Sequence, residues 1–248
     1  MNNIYIIGNW KEYPDNIKEA TKIANTLGKQ IVKKGVTAVV CPPHVFLQTV
    51  GAGIKKGKYV LGSQDLSPLM IGAYTGEVSP KALASLGVKY AIIGHSERRE
   101  MGESNEVILM KLRAAHAAGI RPILCVGEKS RMDTEKSHAE VEQQVSILSE
   151  LSKKDASNTI IAYEPLWAIG AKTAATETDA LEMRIYIQKV LADMLDEKLM
   201  KNVPILYGGA VTAKNAKAFI SIGGMHGLLV GRASLEPKSF TAIIKSFA

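Results

Sequence analysis

Short apolar runs recur along the chain and alternate with segments of helical period. The runs cover residues 4–7, 37–41, 59–62, 90–93, 122–126, 159–162, 205–207 and 228–230. They do not alternate apolar with polar positions, which is the pattern of strands covered on both faces in a parallel sheet. The clearest helical segment is 177–200, where Met183, Ile187, Val190 and Met194 recur at three- and four-residue steps. Thr176 and Asp179 stand at capping-box spacing ahead of it. Val141, Val145, Leu148 and Leu151 mark a second stripe, and Val107, Met110, Ala114 and Ala118 a third. Eight strands alternating with helices over 248 residues predict a (β/α)8 barrel, a single domain spanning residues 1–248. A doubly wound open sheet is the competing architecture. It usually carries a glycine-rich fingerprint after its first strand, whereas here that strand runs into Gly8-Asn9-Trp10-Lys11.

Composition narrows the class without changing this picture. At 46% hydrophobic and 22% charged residues, the chain is neither disordered, collagen-like nor a disulfide scaffold. No apolar run approaches the roughly 20 residues of a membrane helix, and the N-terminal residues lack the pattern of a secretory signal. Cys41 and Cys125 are the only cysteines; two isolated thiols make neither a metal cage nor a framework and suit a reducing cytoplasm. The net charge of +7 arises in the first 124 residues, with 16 Lys and Arg against 9 Asp and Glu; the rest balance at 15 and 15. The excess is scattered in pairs, and aromatics are not interleaved with it as a base-stacking surface requires. Nucleic acid is not expected as a partner, and an anionic small substrate is compatible.

In a barrel of this kind the chemistry sits at the C-terminal ends of the strands. Asn9 and Lys11 follow the first. Lys11 is a candidate electrostatic catalyst or phosphate ligand, though alone it reads as a surface lysine. His95 follows the fourth strand, in Gly94-His95-Ser96-Glu97-Arg98-Arg99; an imidazole there can move protons or donate to a carbonyl. Arg98 and Arg99 read as a structural ion-pair network. Glu164 follows the sixth strand and precedes Pro165, which restricts its backbone to extended conformations. Beyond it, Leu166-Trp167-Ala168-Ile169-Gly170 is apolar enough to be a lid that excludes water, the setting in which a carboxylate abstracts a proton from carbon. Gly208-Gly209-Ala210, followed by a helical pattern from Val211, and Gly231-Arg232 come after the seventh and eighth strands, the usual phosphate end of such barrels. His44, His116, His138 and His226 have no comparable company, and Cys125 reads as a small core residue.

Taken together, these segments resemble the triosephosphate isomerase family from end to end. The His95-Ser96-Glu97-Arg98-Arg99 and Tyr163-Glu164-Pro165-Leu166-Trp167-Ala168-Ile169-Gly170 blocks are the most specific, supported by positions 8–11, by Gln64 with 72–77, by Gly102-Glu103-Ser104, by Cys125-Val126-Gly127-Glu128, by Tyr207-Gly208-Gly209 and by Leu229-Val230-Gly231. The resemblance implies interconversion of dihydroxyacetone phosphate and D-glyceraldehyde 3-phosphate with no cofactor and no metal. It implies Glu164 as the base at carbon and His95 as the neutral electrophile. It further implies Lys11 as the cation stabilising an enediolate, Asn9 as a donor to substrate oxygen, and Glu97 as the residue that positions Lys11. Backbone N–H groups of Gly170, Ala210, Gly231 and Arg232 would hold the phosphate. Residues 64–79 resemble a dimer loop whose Thr75 supports Lys11 of a second copy, implying a homodimer.

The chain also departs from the family pattern. Ala210 stands where a serine is usual, Arg232 where a second glycine is usual, and the tip Gly170-Ala171-Lys172-Thr173 is one residue short. These departures bear on substrate size and admit a rival, an isomerase of a larger phosphorylated ketose such as a tetrulose phosphate. A barrel kept only as a scaffold is disfavoured by the intact Asn9, Lys11, His95 and Glu164.

Overall fold

The computed structural model describes residues 3–168 and 175–247. Eight parallel strands close into a barrel in sequence order: β1 (Ile4–Asn9), β2 (Val36–Cys41), β3 (Val60–Ser63), β4 (Tyr90–Ile93), β5 (Arg121–Val126), β6 (Ile160–Tyr163), β7 (Ile205–Gly209) and β8 (Gly227–Val230). Closure is made by β1 on β8, with Tyr5 opposite Gly227 and Gly8 opposite Val230. The doubly wound alternative is thereby excluded.

The strands are apolar throughout because each faces two cores. Ile7, Val39, Ile92, Ile123, Ile160, Leu206 and Leu229 point inward with Cys41 and Cys125 and fill the barrel. Their neighbours Ile6, Val40, Ile93, Leu124 and Ile161 point outward under the helices. The helices are α1 (Ile17–Gly28), α2 (Leu47–Ile54), α3 (Pro80–Ser85), α4 (Ser96–Glu100), α5 (Asn105–Ala117) and α6 (Thr134–Val145), followed by α7 (Lys153–Asn158), α8 (Glu177–Met194), α9 (Glu197–Met200), α10 (Ala216–Ser221) and α11 (Pro237–Lys245). Among the described residues, no helix is long and apolar enough to cross a membrane.

Three predicted helical segments need correction. The segment 177–200 is two helices. Leu195 is extended (φ −122°, ψ 150°), and the Asp196 side chain accepts from the Leu199 N–H at 2.9 Å, starting α9 afresh. The capping box of Thr176 and Asp179 is present as predicted. The stripe from Val141 to Leu151 crosses from α6 into a 3₁₀ turn at Ser146–Glu150. After β7 the helix starts at Ala216, not at Val211. The Asn215 side chain donates to the Ala210 carbonyl at 2.8 Å and accepts from the Thr212 N–H at 2.7 Å, closing a turn that competes with helix.

Candidate active site

The strand ends converge on a cleft of about 240 Å³ lined by Asn9, Lys11, His95 and Glu164 together with Gly209, Ala210, Gly231 and Arg232. Asn9, His95 and Glu164 are all at least 94% buried, placed by the last residues of β1, β4 and β6. Lys11 reaches in at a left-handed backbone angle, φ 54°, that non-glycine residues seldom adopt. Two side chains hold it there: Asn9 Oδ1 accepts from the Lys11 N–H at 2.9 Å, and Gln64 Nε2 donates to the Lys11 carbonyl at 2.7 Å. Gln64 also donates to the Cys41 carbonyl at 2.9 Å, tying the Lys11 turn to the end of β2. The Lys11 ammonium pairs with Glu97.

His95 caps α4. Its Nδ1 accepts from the Glu97 N–H at 3.3 Å, and its Nε2 lies 3.2 Å from Glu164 Oε1. A nitrogen that accepts a backbone N–H carries no proton, so the ring proton belongs on Nε2, aimed at the cleft and Glu164. Burial presses this imidazole toward neutrality. The Glu164 carboxylate opposes burial, helped by Glu97, and the net displacement of the His95 pKa is upward from the ordinary 6.5. Glu164 Oε1 thus has a partner, while Oε2 is buried with none among the described residues. A carboxylate oxygen held dry and unpaired is available to a proton on a bound molecule.

Room for that carboxylate comes from two glycines. A Cβ on Gly127 would sit 1.8 Å from the Glu164 carbonyl, and one on Gly208 would sit 2.8 Å from Glu164 Cγ. Of the two arginines expected in a structural ion-pair network, Arg98 is in one and Arg99 is held by neutral partners instead. Arg98 pairs with Asp65 and Glu103 at 2.9 and 3.1 Å; Arg99 bonds the Gly94 carbonyl and Asn105 at 2.8 and 2.7 Å.

The other histidines are satisfied away from the cleft. His44 meets the Asp65 carbonyl, His116 meets Thr159, His226 accepts from the Ile205 N–H, and His138 stacks on Tyr186. Arg232 does not need glycine's freedom. It opens a 3₁₀ turn, Arg232–Ser234, outside the left-handed region. Gly170, with 171–173, lies outside the described residues. Thr75 is exposed and does not line the cleft of its own chain.

Gln64 stands in a stretch that carries the resemblance, but the sequence did not point to it as the anchor of Lys11, since the contact spans 53 positions. Nor did it single out Glu128, which is buried and accepts from Tyr163 Oη and Trp167 Nε1 at 2.9 and 2.6 Å.

The family model described as triosephosphate isomerase matches residues 4–247. The triosephosphate isomerase of Carboxydothermus hydrogenoformans is 39% identical over 249 residues, covering 99% of each chain. That of Chloroflexus aurantiacus is 41% identical over 242 residues, 96% of this chain and 97% of the relative. That of Fusobacterium nucleatum is 41% identical over 251 residues, 99% of each. By its barrel, its cleft and this likeness across nearly its whole length, the chain belongs to the triosephosphate isomerase family.

Proposed function

We propose that the chain interconverts dihydroxyacetone phosphate and D-glyceraldehyde 3-phosphate through an enediolate. The observation that carries this reading is the Glu164–His95 pair: a buried carboxylate with one unpaired oxygen beside an imidazole whose proton faces the same cleft. Glu164 takes a proton from the carbon next to the carbonyl, and the C–H electron pair moves to form the enediolate. His95 Nε2–H polarises the carbonyl oxygen and passes its proton to it, then recovers one from the neighbouring hydroxyl. Glu164, whose new proton exchanges with solvent while the enediolate is bound, then protonates the adjoining carbon. Lys11 places a cation where the negative charge develops, so it favours the intermediate over the ground state. Asn9 steers the substrate oxygens, and Glu97 fixes Lys11. The phosphate binds at the opposite end, on backbone N–H groups of Ala210, Gly231 and Arg232, with Gly170. No cofactor and no metal enters this chemistry.

We also propose that the chain is a single barrel domain and a homodimer in which Thr75 supports the partner's site, and that it works in the cytoplasm. Support for the dimer is exposed apolar surface on the 64–79 loop, where Ile71 and Tyr74 are 79% and 48% exposed. Support for the compartment is the pair of buried, unbridged cysteines.

A coupled assay supplying each triose phosphate in turn, with a tetrulose phosphate as comparator, tests the activity. Turnover of both trioses far above the comparator is expected; preference for the tetrulose phosphate would favour the rival isomerase, and no turnover of any would favour a scaffold.

A further inference from the structure

One cluster of charges stands behind the cleft and is not used by the chemistry above. Arg131 lies in the loop between β5 and α6, off the cleft. Its guanidinium carbon is 5.3 Å from the centroid of the Trp167 ring. The same guanidinium pairs with Asp179 and, at 2.8 Å, with Glu182 on the first turns of α8. Trp167 is therefore held on two sides. Glu128 accepts its Nε1–H at 2.6 Å from below, and Arg131 covers its face. Asp179 is the same residue that closes the capping box of α8 with Thr176. One arginine thus joins the residues that directly follow Glu164 to the start of the next helix.

The segment from Glu164 to Ala168 has few other ties. The Glu164 N–H donates to the Val126 carbonyl at 2.8 Å, and the Leu166 N–H donates to the Glu128 carbonyl at 3.1 Å. All of these partners belong to the end of β5 or the loop after it. That loop is the bed on which the Glu164 segment lies, and among the described residues Arg131 makes its only hydrogen bonds and ion pairs to α8. We infer that Arg131 is a positioning residue for Glu164, acting through Trp167. Rigid placement of a base within a fraction of an ångström is worth a large factor in rate, and a cation over an indole face is a directional contact, strongest on Trp. The inference rests on the proposed isomerase reading for its kinetic arm only.

The test uses the full chain with Arg131→Met, which keeps the aliphatic stem, and Arg131→Lys, which keeps a cation. Trp10 and Trp167 are the two tryptophans, and Trp10 is fully buried, so acrylamide quenching reads Trp167. The Met variant is expected to raise the quenching constant about twofold and the Lys variant to leave it nearly unchanged, because the contact is electrostatic. In the triose phosphate assay the Met variant should lower kcat roughly tenfold with KM shifted less than about threefold, because placement of the base is disturbed while the phosphate end is not. In a Trp167→Leu background the same replacement should lower kcat by less than about twofold, since its route to Glu164 is already cut.

Additive losses in that background, or an unchanged kcat in the Met variant, would overturn the inference. So would an unchanged quenching constant, which needs no turnover to be read. Should the Met variant not fold, Glu182→Gln loosens the guanidinium from α8 with Arg131 in place. Smaller changes of the same sign in quenching and kcat are then expected, and none would overturn the assignment. An inactive wild-type chain would count against the isomerase reading alone, leaving the quenching arm to decide the Arg131 contact.

Discussion

Lys11 adopts φ 54° to bring its ammonium into the cleft, and a non-glycine residue held there costs on the order of 1–3 kcal/mol. Asn9 and Gln64 offset that cost with two hydrogen bonds to the Lys11 backbone, each worth a net ~1 kcal/mol. His95 shows the same economy. Its Nδ1 is committed to the Glu97 N–H, so its remaining proton can only face Glu164. The upward displacement of the His95 pKa depends on the Glu164 carboxylate, and burial alone would push the other way. Two consequences follow at this scale. In Glu164→Gln the attraction is lost while burial remains, so the His95 pKa should fall. Nitrogen-15 shifts of the ring followed against pH would record it; an unchanged or higher value would contradict the assignment. In the native chain, protonated His95 pairs with Glu164, which in the proposed mechanism takes both out of their working states. The acid limb of kcat/KM, which reports the free enzyme, should therefore lie above the ordinary imidazole value of 6.5. A limb at or below that value would show that some other group governs it.

At the scale of elements, the site depends on how closely β5, β6 and β7 approach at their C-terminal ends. Gly127 and Gly208 leave the space that Glu164 occupies. A Cβ on Gly208 would press on Glu164 Cγ, the middle of the side chain, which cannot move aside without carrying the carboxylate with it. Gly208→Ala should therefore fold, keep KM within about threefold and lose at least about tenfold in kcat, on the principle that small misplacements of a reacting group are costly. Near-native kcat in steady-state measurements would refute the fit.

The elements themselves were largely readable in the sequence. Strands buried on both faces must be continuously apolar, and all eight runs coincide with observed strands to within one or two residues at their starts and ends. What escaped reading was decided by single polar side chains. Asp196 restarts a helix inside an unbroken apolar stripe, and Asn215 closes a turn where a helical pattern continues. Among site residues, those at strand ends were legible because the barrel puts its chemistry there. Gln64 and Glu128 were not, because their roles lie in contacts with residues far along the chain, such as Lys11 and Trp167.

At the scale of the whole molecule, the barrel gathers its site residues into one cleft and leaves several large apolar side chains exposed. Leu66 is buried against its own core, but Ile71 at the tip of the same loop is 79% exposed, near in sequence to the exposed Tyr74 and Thr75. Sedimentation at micromolar concentration should give the mass of two chains, and Ile71→Asp should shift it toward one chain with loss of activity. A fully active native monomer would contradict the role proposed for Thr75.

The central claim, proton transfer at carbon by Glu164, is tested most directly by proton NMR of dihydroxyacetone phosphate incubated with the chain in heavy water. The account predicts solvent deuterium on the carbon beside the carbonyl as isomerisation proceeds. It also predicts that Glu164→Gln slows exchange and isomerisation together by about a thousandfold, the scale of a lost general base. Isomerisation with no solvent deuterium in the product, or an undiminished rate in Glu164→Gln, would contradict it.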